Sequence, residues 1–457
     1  MKFLIIPILA TVLLMTSCGS KNNFALFSGE IKSTDITELY LISGIDTLVF
    51  DVIDGKFSDT VRNLNAYYYV RLGNIEATLF FEAGDEVEMT FNSNSSLEGL
   101  NFSGKGSEKN NFLVFKSKEI SDESIDFAAL FGKAENDFKQ SVDLIFDGIR
   151  KEFERANLTS NFKKTEAKSI DYLYYNMLRA YPSYHPYVTN NPDFVLSENF
   201  FPKAYTDLDM NNSKDYDMYR EYAELVSANE MDKFYKSIEK NYPNLDGSDL
   251  KFLDDIKIER LKNKMVEQAA FFLSTANKDM EGFYEKLIAS STDESYKSEL
   301  STRYNQLKKL LPGMASANFR YEDVNGDFYT LHDLKGKFVY IDVWATWCGP
   351  CKQEIPALKE LQKDLSNENI VFVSISVDQL KDKETWKRMV QNEELAGIQL
   401  FADNSFRSFF IKEYAIESIP RFILIDKKGL IVNADAPRPS GVGTKLYLQG
   451  ILKEKGV

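Results

Sequence analysis

Histidine is nearly missing from this 457-residue chain, with two residues, and cysteine is scarce, with three. Three cysteines cannot staple a disulfide-rich scaffold of this length. A zinc site needs about four ligands, usually from paired Cys or His groups. Only one Cys-x-x-Cys is present, and His332 lies far before it, across a full strand. A metal centre is therefore not expected. A basic excess is also lacking. Lys and Arg number 55 against 69 Asp and Glu, for a net charge of -14. That weighs against nucleic acid as a partner and against a polybasic membrane patch. No CxxCH and no GxGxxG occurs, so neither a haem nor a nucleotide is implied. No apolar run reaches the ~20 residues of a membrane span. The longest runs from Phe3 to Met15.

That run follows a single lysine in "MKFLIIPILATVLLMTSCGSKNN", the order of a secretory signal peptide, with a buried N-terminal helix as the plain alternative. Its end, "LLMTSC", resembles a bacterial lipoprotein signal. The resemblance implies loss of residues 1–17, lipidation of Cys18, and 18–23 as a tether. The chain would then sit in the cell envelope, lipid-anchored to a membrane and facing the periplasm. Cys348 and Cys351 are left as a pair.

Three regions follow. Residues 24–107 read as a small all-β domain of short aromatic and β-branched strands, with a hairpin at Asp54-Gly55. Residues 108–310 read as helical, from apolar residues spaced three and four apart. Ser248 or Asp249 is a candidate helix cap after the "NLDG" turn. The tyrosines and phenylalanines here read as core rather than a groove. "YPSYHPYVTN" at 181–190 reads as a Pro-rich loop, with His185 structural or incidental. Residues 311–457 open on a Pro-Gly linker and alternate strands with helices, a hairpin coming late. That is an α/β fold with a mixed sheet.

"WATWCGPC" at 344–351 lies where the apolar strand "KFVYIDVW" meets a helix. A structural disulfide gains most from closing a long loop, and this ring is very small. A redox pair explains more residues. Cys348 would lie at the helix N-terminus, where unpaired N–H groups and the helix dipole favour a thiolate. Cys351, one turn in and less exposed, would resolve a mixed disulfide. Pro350 fits the first turn.

"VYIDVWATWCGPCKQEIPAL", with "ESIPRFILIDKKG" downstream, resembles the thioredoxin superfamily, in particular exported thiol–disulfide oxidoreductases of the TlpA/ResA-like group. The β-rich front resembles a domain found in such proteins from Bacteroidetes. The resemblance implies Cys348 as nucleophile and Cys351 as resolving thiol. It also implies Asp342 and Glu354 as proton-handling acids, although Glu354 could simply face solvent. Trp347 would shield the disulfide. Gly349, Pro350, Ile419 and a cis Pro420 would meet substrate. No cofactor beyond the cysteine pair is implied. The partners would be protein thiols and disulfides, with a membrane electron donor if the protein works as a reductase. Gly-Pro between the cysteines favours that direction. Two alternatives stay open. One is a binding or scaffold lipoprotein whose redox domain serves one partner. The other is a thiol peroxidase, whose Pro-x-x-x-Thr-x-x-Cys pattern is absent: Thr346 lies two residues before Cys348, and Val343 stands nearby where no proline appears.

Overall fold

The computed structural model describes residues 23–454, apart from 33–35, 45–46, 73–74 and 93–96. The signal segment and Cys18 lie outside the described residues. The chain divides into two compact units, one ending at Asn229 and the other beginning at Glu230.

The first unit holds β1 (Ala25–Lys32), β2 (Glu38–Ile42), β3 (Thr47–Asp51), β4 (Lys56–Val61), β5 (Tyr67–Leu72), β6 (Ile75–Phe80), β7 (Glu86–Asn92) and β8 (Leu100–Lys105). They form two four-stranded sheets, β4-β1-β7-β8 and β3-β2-β5-β6. Strand β7 alternates exposed and buried residues along its length, as a sheet with one covered face requires. Phe27 and Met89 of one sheet share a core with Leu39 and Tyr68 of the other. Strand β2 carries Tyr40 and Ile42 on its exposed face, which blurs the apolar alternation there. Asp54 and Gly55 do make a tight turn, with φ of 51° and 75°. Ile53 and Lys56 exchange backbone hydrogen bonds across it. Strands β3 and β4 nevertheless join different sheets, so the turn is a corner between them.

The helix Ser107–Glu119 is pinned to strand edges by two asparagines. Phe80 N–H donates to Asn110 Oδ1 (2.7 Å), and Asn111 exchanges two bonds with the Phe102 backbone. The helix Glu135–Arg155 buries Phe138, Val142, Phe146, Ile149 and Phe153, one amphipathic face. Residues 181–190 are not a loop. They lie almost wholly in the helix Ser160–Thr189, with Pro182 and Pro186 inside it. An interior proline costs a helix about 3 kcal/mol. Here packing prevails: the Tyr181 ring lies 4.3 Å from Phe138 and the His185 ring 4.6 Å from Phe194. His185 Nδ1–H donates to the Phe131 carbonyl at 2.7 Å, a packing role.

In the second unit the helical turn Gly247–Asp254 is capped by Asp246, not by Ser248 or Asp249. Asp246 accepts from Ser248 N–H, and Asp249 reaches back to Asp246 N–H (2.8 Å) as the other half of a capping box. Helices Glu259–Ala270, Met280–Ser290 and Glu294–Lys308 follow. The Pro-Gly segment is tied down. Gly313 N–H donates to Ile431 O (2.7 Å) and Ile431 N–H to Met314 O (2.8 Å).

A seven-stranded sheet comes next: β9 (Arg320–Asp323), β10 (Phe328–Thr330), β11 (Phe338–Trp344), β12 (Ile370–Ser376), β13 (Ile398–Phe401), β14 (Arg421–Ile425) and β15 (Ile431–Asn433). Its order is β10-β9-β13-β12-β11-β14-β15. Strands β11, β12 and β13 run parallel, while β14 and β15 are antiparallel, so the sheet is mixed. All seven residues of β11 are buried, which is why it reads as a continuous apolar run. The stretch "SFRSFFIKEYAI" forms two short helices, Ser405–Arg407 and Phe409–Glu413. Ser408 breaks them, its hydroxyl donating to Asp403 Oδ1 at 2.6 Å.

Candidate active site

Strand β11 ends at Trp344 and the next helix spans Gly349–Asp364. The turn between them hangs on Asp378, which is fully buried. Its Oδ2 accepts from Thr346 N–H (2.9 Å) and from the Ser376 hydroxyl (2.7 Å), and its Oδ1 from the Thr346 hydroxyl (2.7 Å). The sequence reading missed Asp378. The available signal was a carboxylate directly after the apolar strand "VFVSISV".

Cys348 is the N-cap of that helix, with Gly349 and Pro350 in its first turn. Cys348 and Cys351 are joined as a disulfide, their Cα atoms 5.3 Å apart. Cys351 N–H points at Cys348 Sγ, 3.1 Å away. A thiolate on Cys348 would receive this bond and the field of the helix N-terminus. The expected contrast in exposure does not appear: each cysteine is 4% exposed. The Ile419 carbonyl oxygen lies 3.9 Å from Cys348 Sγ, and the Ile419-Pro420 bond is cis. Trp347 stands out from the turn, 60% exposed, its ring 6.4 Å from Phe406.

Asp342 lies inside β11. Burial raises its pKa from 3.8 to about 7; a Ser374 hydrogen bond opposes the rise and the like charge of Glu354 adds to it. Glu354 does not face solvent. It is buried on the inner side of its helix, accepting from Ser440 N–H (3.0 Å) and the Ser440 hydroxyl (2.8 Å). Asp342 and Cys351 line one small cavity of about 10 Å³, one water in size. Trp344, Gln362 and Gln399 also line it. Their Nε1, Oε1 and Oε1 atoms are buried with no partner among the described residues.

The structure thus brings Cys348, Cys351, Trp347, Gly349, Pro350, Ile419 and Pro420 to one end of the sheet. Asp342 sits behind Cys351, with Glu354 within its field. Among the described residues no group of three or more His, Cys, Asp or Glu is arranged to hold a metal ion. No described helix is long and apolar enough to cross a membrane.

Residues 312–434 match the model of the AhpC/TSA family. The chain is 29% identical over 147 residues to the thiol-disulfide oxidoreductase ResA of Bacillus cereus, covering 32% of this chain and 80% of that protein. It is 30% identical over 128 residues to the thioredoxin-like protein YneN of Bacillus subtilis, covering 26% of this chain and 68% of that one. A crystal structure of a Bacteroides vulgatus protein proposed to be a thiol-disulfide oxidoreductase is 41% identical. It aligns with a TM-score of 0.29 over 32% of this chain and 99% of its own.

Proposed function

Through its C-terminal third the chain belongs to the thioredoxin-like thiol–disulfide oxidoreductases, and from that premise we propose that it reduces protein disulfides in the periplasm. The domain is a redox enzyme with Cys348 and Cys351 as its dithiol. The observation that carries the assignment of roles is Cys351 N–H aimed at Cys348 Sγ across the helix N-terminus.

In the proposed cycle the Cys348 thiolate attacks one sulfur of a substrate disulfide. The other substrate sulfur leaves as a thiolate and takes a proton. Cys351 then gives its proton to Asp342, through the cavity they share, and its thiolate attacks Cys348 Sγ. The second substrate thiolate departs and is protonated, and the Cys348–Cys351 disulfide remains. Two electrons have passed from protein to substrate. A dithiol donor, which we place at the membrane, must return them. Glu354 biases the Asp342 proton, while Trp347, Gly349, Pro350, Ile419 and Pro420 meet the substrate. We also propose the wider frame: signal peptide 1–17, lipid on Cys18, a tether 18–23, a β domain 24–107, a helical domain 108–310 and a redox domain 311–457. The lipoprotein signal in "LLMTSC" and the Bacteroidetes-like β-rich front support it.

Replacing Cys351 with serine should trap substrate on Cys348 as a mixed disulfide; replacing Cys348 should abolish trapping and turnover. Trapping on Cys351 instead would reverse the assignment. The AhpC/TSA match favours one second reading, a thiol peroxidase. Against it, the Thr346 hydroxyl is spent on Asp378. Peroxide consumption by the reduced chain at a rate matching disulfide reduction would favour the peroxidase.

A further inference from the structure

The wall of the site is not built by the redox fold alone. A cleft of about 250 Å³ opens beside Pro420, whose neighbour Ile419 faces Cys348 Sγ. One side of it is Pro420, Arg421 and Arg438. The other is Tyr242 and Phe271, each in a turn after a helix, and Arg303 of the helix Glu294–Lys308, all outside the 312–434 match. The two sides are tied within the unit by Gln306, whose amide donates to the Lys412 carbonyl. Arg303 also lines a second, larger cleft that runs to Phe406, the ring next to Trp347. The two clefts share Arg303 and Ala415, and each includes a residue close to the site, Phe406 in one and Pro420 in the other.

The charge there opposes that of the chain. The cleft beside Pro420 is lined by three arginines, Arg303, Arg421 and Arg438, and by one carboxylate, Asp435. Arg421 pairs with Asp435 at 3.5 Å. Arg303 donates to the Leu273 carbonyl at 3.5 Å. Arg438 is exposed, and no ion pair holds it among the described residues. Neither Arg303 nor Arg438 is in an ion pair among the described residues, in a protein of net charge -14; Glu299 and Glu417 share the second cleft with Arg303. Beside them Phe271 is 67% exposed, an aromatic surface open to a ligand side chain.

We propose that this cleft selects the substrate: an extended polypeptide that carries a carboxylate side chain beside its disulfide-bonded cysteine. An extended backbone suits a narrow cleft alongside a strand end. Guanidinium groups pair carboxylates bidentately, and complementary charge decides between partners. The inference rests on the oxidoreductase reading and assigns it a substrate class.

The test uses the full chain, kept reduced by dithiothreitol, with three peptide disulfides identical except for Glu, Gln or Lys next to the cysteine. The Glu peptide should show a kcat/KM about five- to tenfold above the Gln peptide, with the Lys peptide lowest. Raising salt to about 0.5 M should shrink the preference. Arg438→Glu should bring the Glu and Gln peptides to within about twofold of each other. Phe271→Ala should lower kcat/KM for all three, because the helical wall takes part. Equal turnover of the three peptides by the unaltered chain overturns the inference and leaves the reductase reading standing. So does a preference untouched by both variants. No turnover of any peptide overturns the reductase reading, and the inference with it.

Discussion

Glu166 in the first unit and Asp342 in the second are both carboxylates enclosed by protein, and burial raises the pKa of both. Their surroundings differ. Glu166 receives Lys116 Nζ at 2.6 Å and the Tyr67 hydroxyl at 2.5 Å. Lys116 is itself held by Ser169 (2.8 Å) and Glu221 (3.5 Å). Asp342 has a Ser374 hydroxyl and a neighbouring like charge, and among the described residues no lysine or arginine pairs with it. A buried carboxylate with its own cation is a fixed part of the core. Asp342, with no cation beside it, titrates near 7, where it can take and return a proton. Between these two acids the counter-cation marks the difference.

Removing the cation should break that contrast most severely. Lys116→Met leaves Glu166 as an unpaired buried charge, which costs about 3–5 kcal/mol. Denaturant unfolding at pH 8 reads it. The loss should shrink on acidification, since a protonated Glu166 needs no partner. A deficit below about 1 kcal/mol would mean the network is not what stabilises this unit.

Asp342→Asn should do the reverse. The native pKa of about 7 lies above the unfolded 3.8. The folded state therefore holds its proton longer, and this group's contribution to stability is full below pH 3.8. It is lost as pH rises through 7. The variant does not titrate, so its advantage should be near zero at pH 4, grow to pH 7 and flatten above. Its size should be on the order of 2–4 kcal/mol. The proposed relay adds a kinetic arm: attack by Cys348 stays intact while resolution by Cys351 slows. A flat stability difference across pH 4–8 would remove Asp342 as a titrating group.

Asp378 is a third buried carboxylate, answered by neutral donors alone, namely Thr346 N–H and the Thr346 and Ser376 hydroxyls. Asp378→Ala strands them at the turn before Cys348 and should cost about 1–3 kcal/mol. Thermal unfolding checks this, and an effect equal to Lys116→Met would erase the distinction between cationic and neutral partners.

How much of this was legible in the sequence depended on range. Strand β11, the cysteines and Pro420 announce themselves locally, in an apolar run and two short motifs. Asp342 stood out for the same reason, a lone acid in an apolar strand. Lys116, Glu166 and Tyr67 are 50 and 99 residues apart in their pairs, so nothing local marks them. Asp378 meets Thr346 across 32 residues and was missed likewise. The helix through Pro182 and Pro186 failed in the other direction. Local chemistry argued for a loop, and aromatic packing at Tyr181 and His185 overrode it. The expected exposure of Cys348 failed because the segment bearing Ile419, 71 residues on, lies next to its sulfur.

The finest test concerns what sets the Asp342 pKa. Burial is the main cause and the like charge of Glu354 the lesser one. Glu354→Gln removes that charge with little change of shape. The amide oxygen can still accept from Ser440 N–H, and the amide N–H₂ can donate to the Ser440 hydroxyl, which now faces 2.8 Å from a donor instead of an acceptor. With the repulsion gone the ionised form of Asp342 becomes easier to reach, so its pKa should fall. The fall should be less than about one unit, because burial is unchanged. Carboxyl NMR titration of Asp342 gives the midpoint directly, and the pH dependence of the Cys351 resolution step should move down with it. A midpoint that stays in place would leave burial as the sole cause. A midpoint that rises would mean the Ser440 contact was lost and the site rearranged.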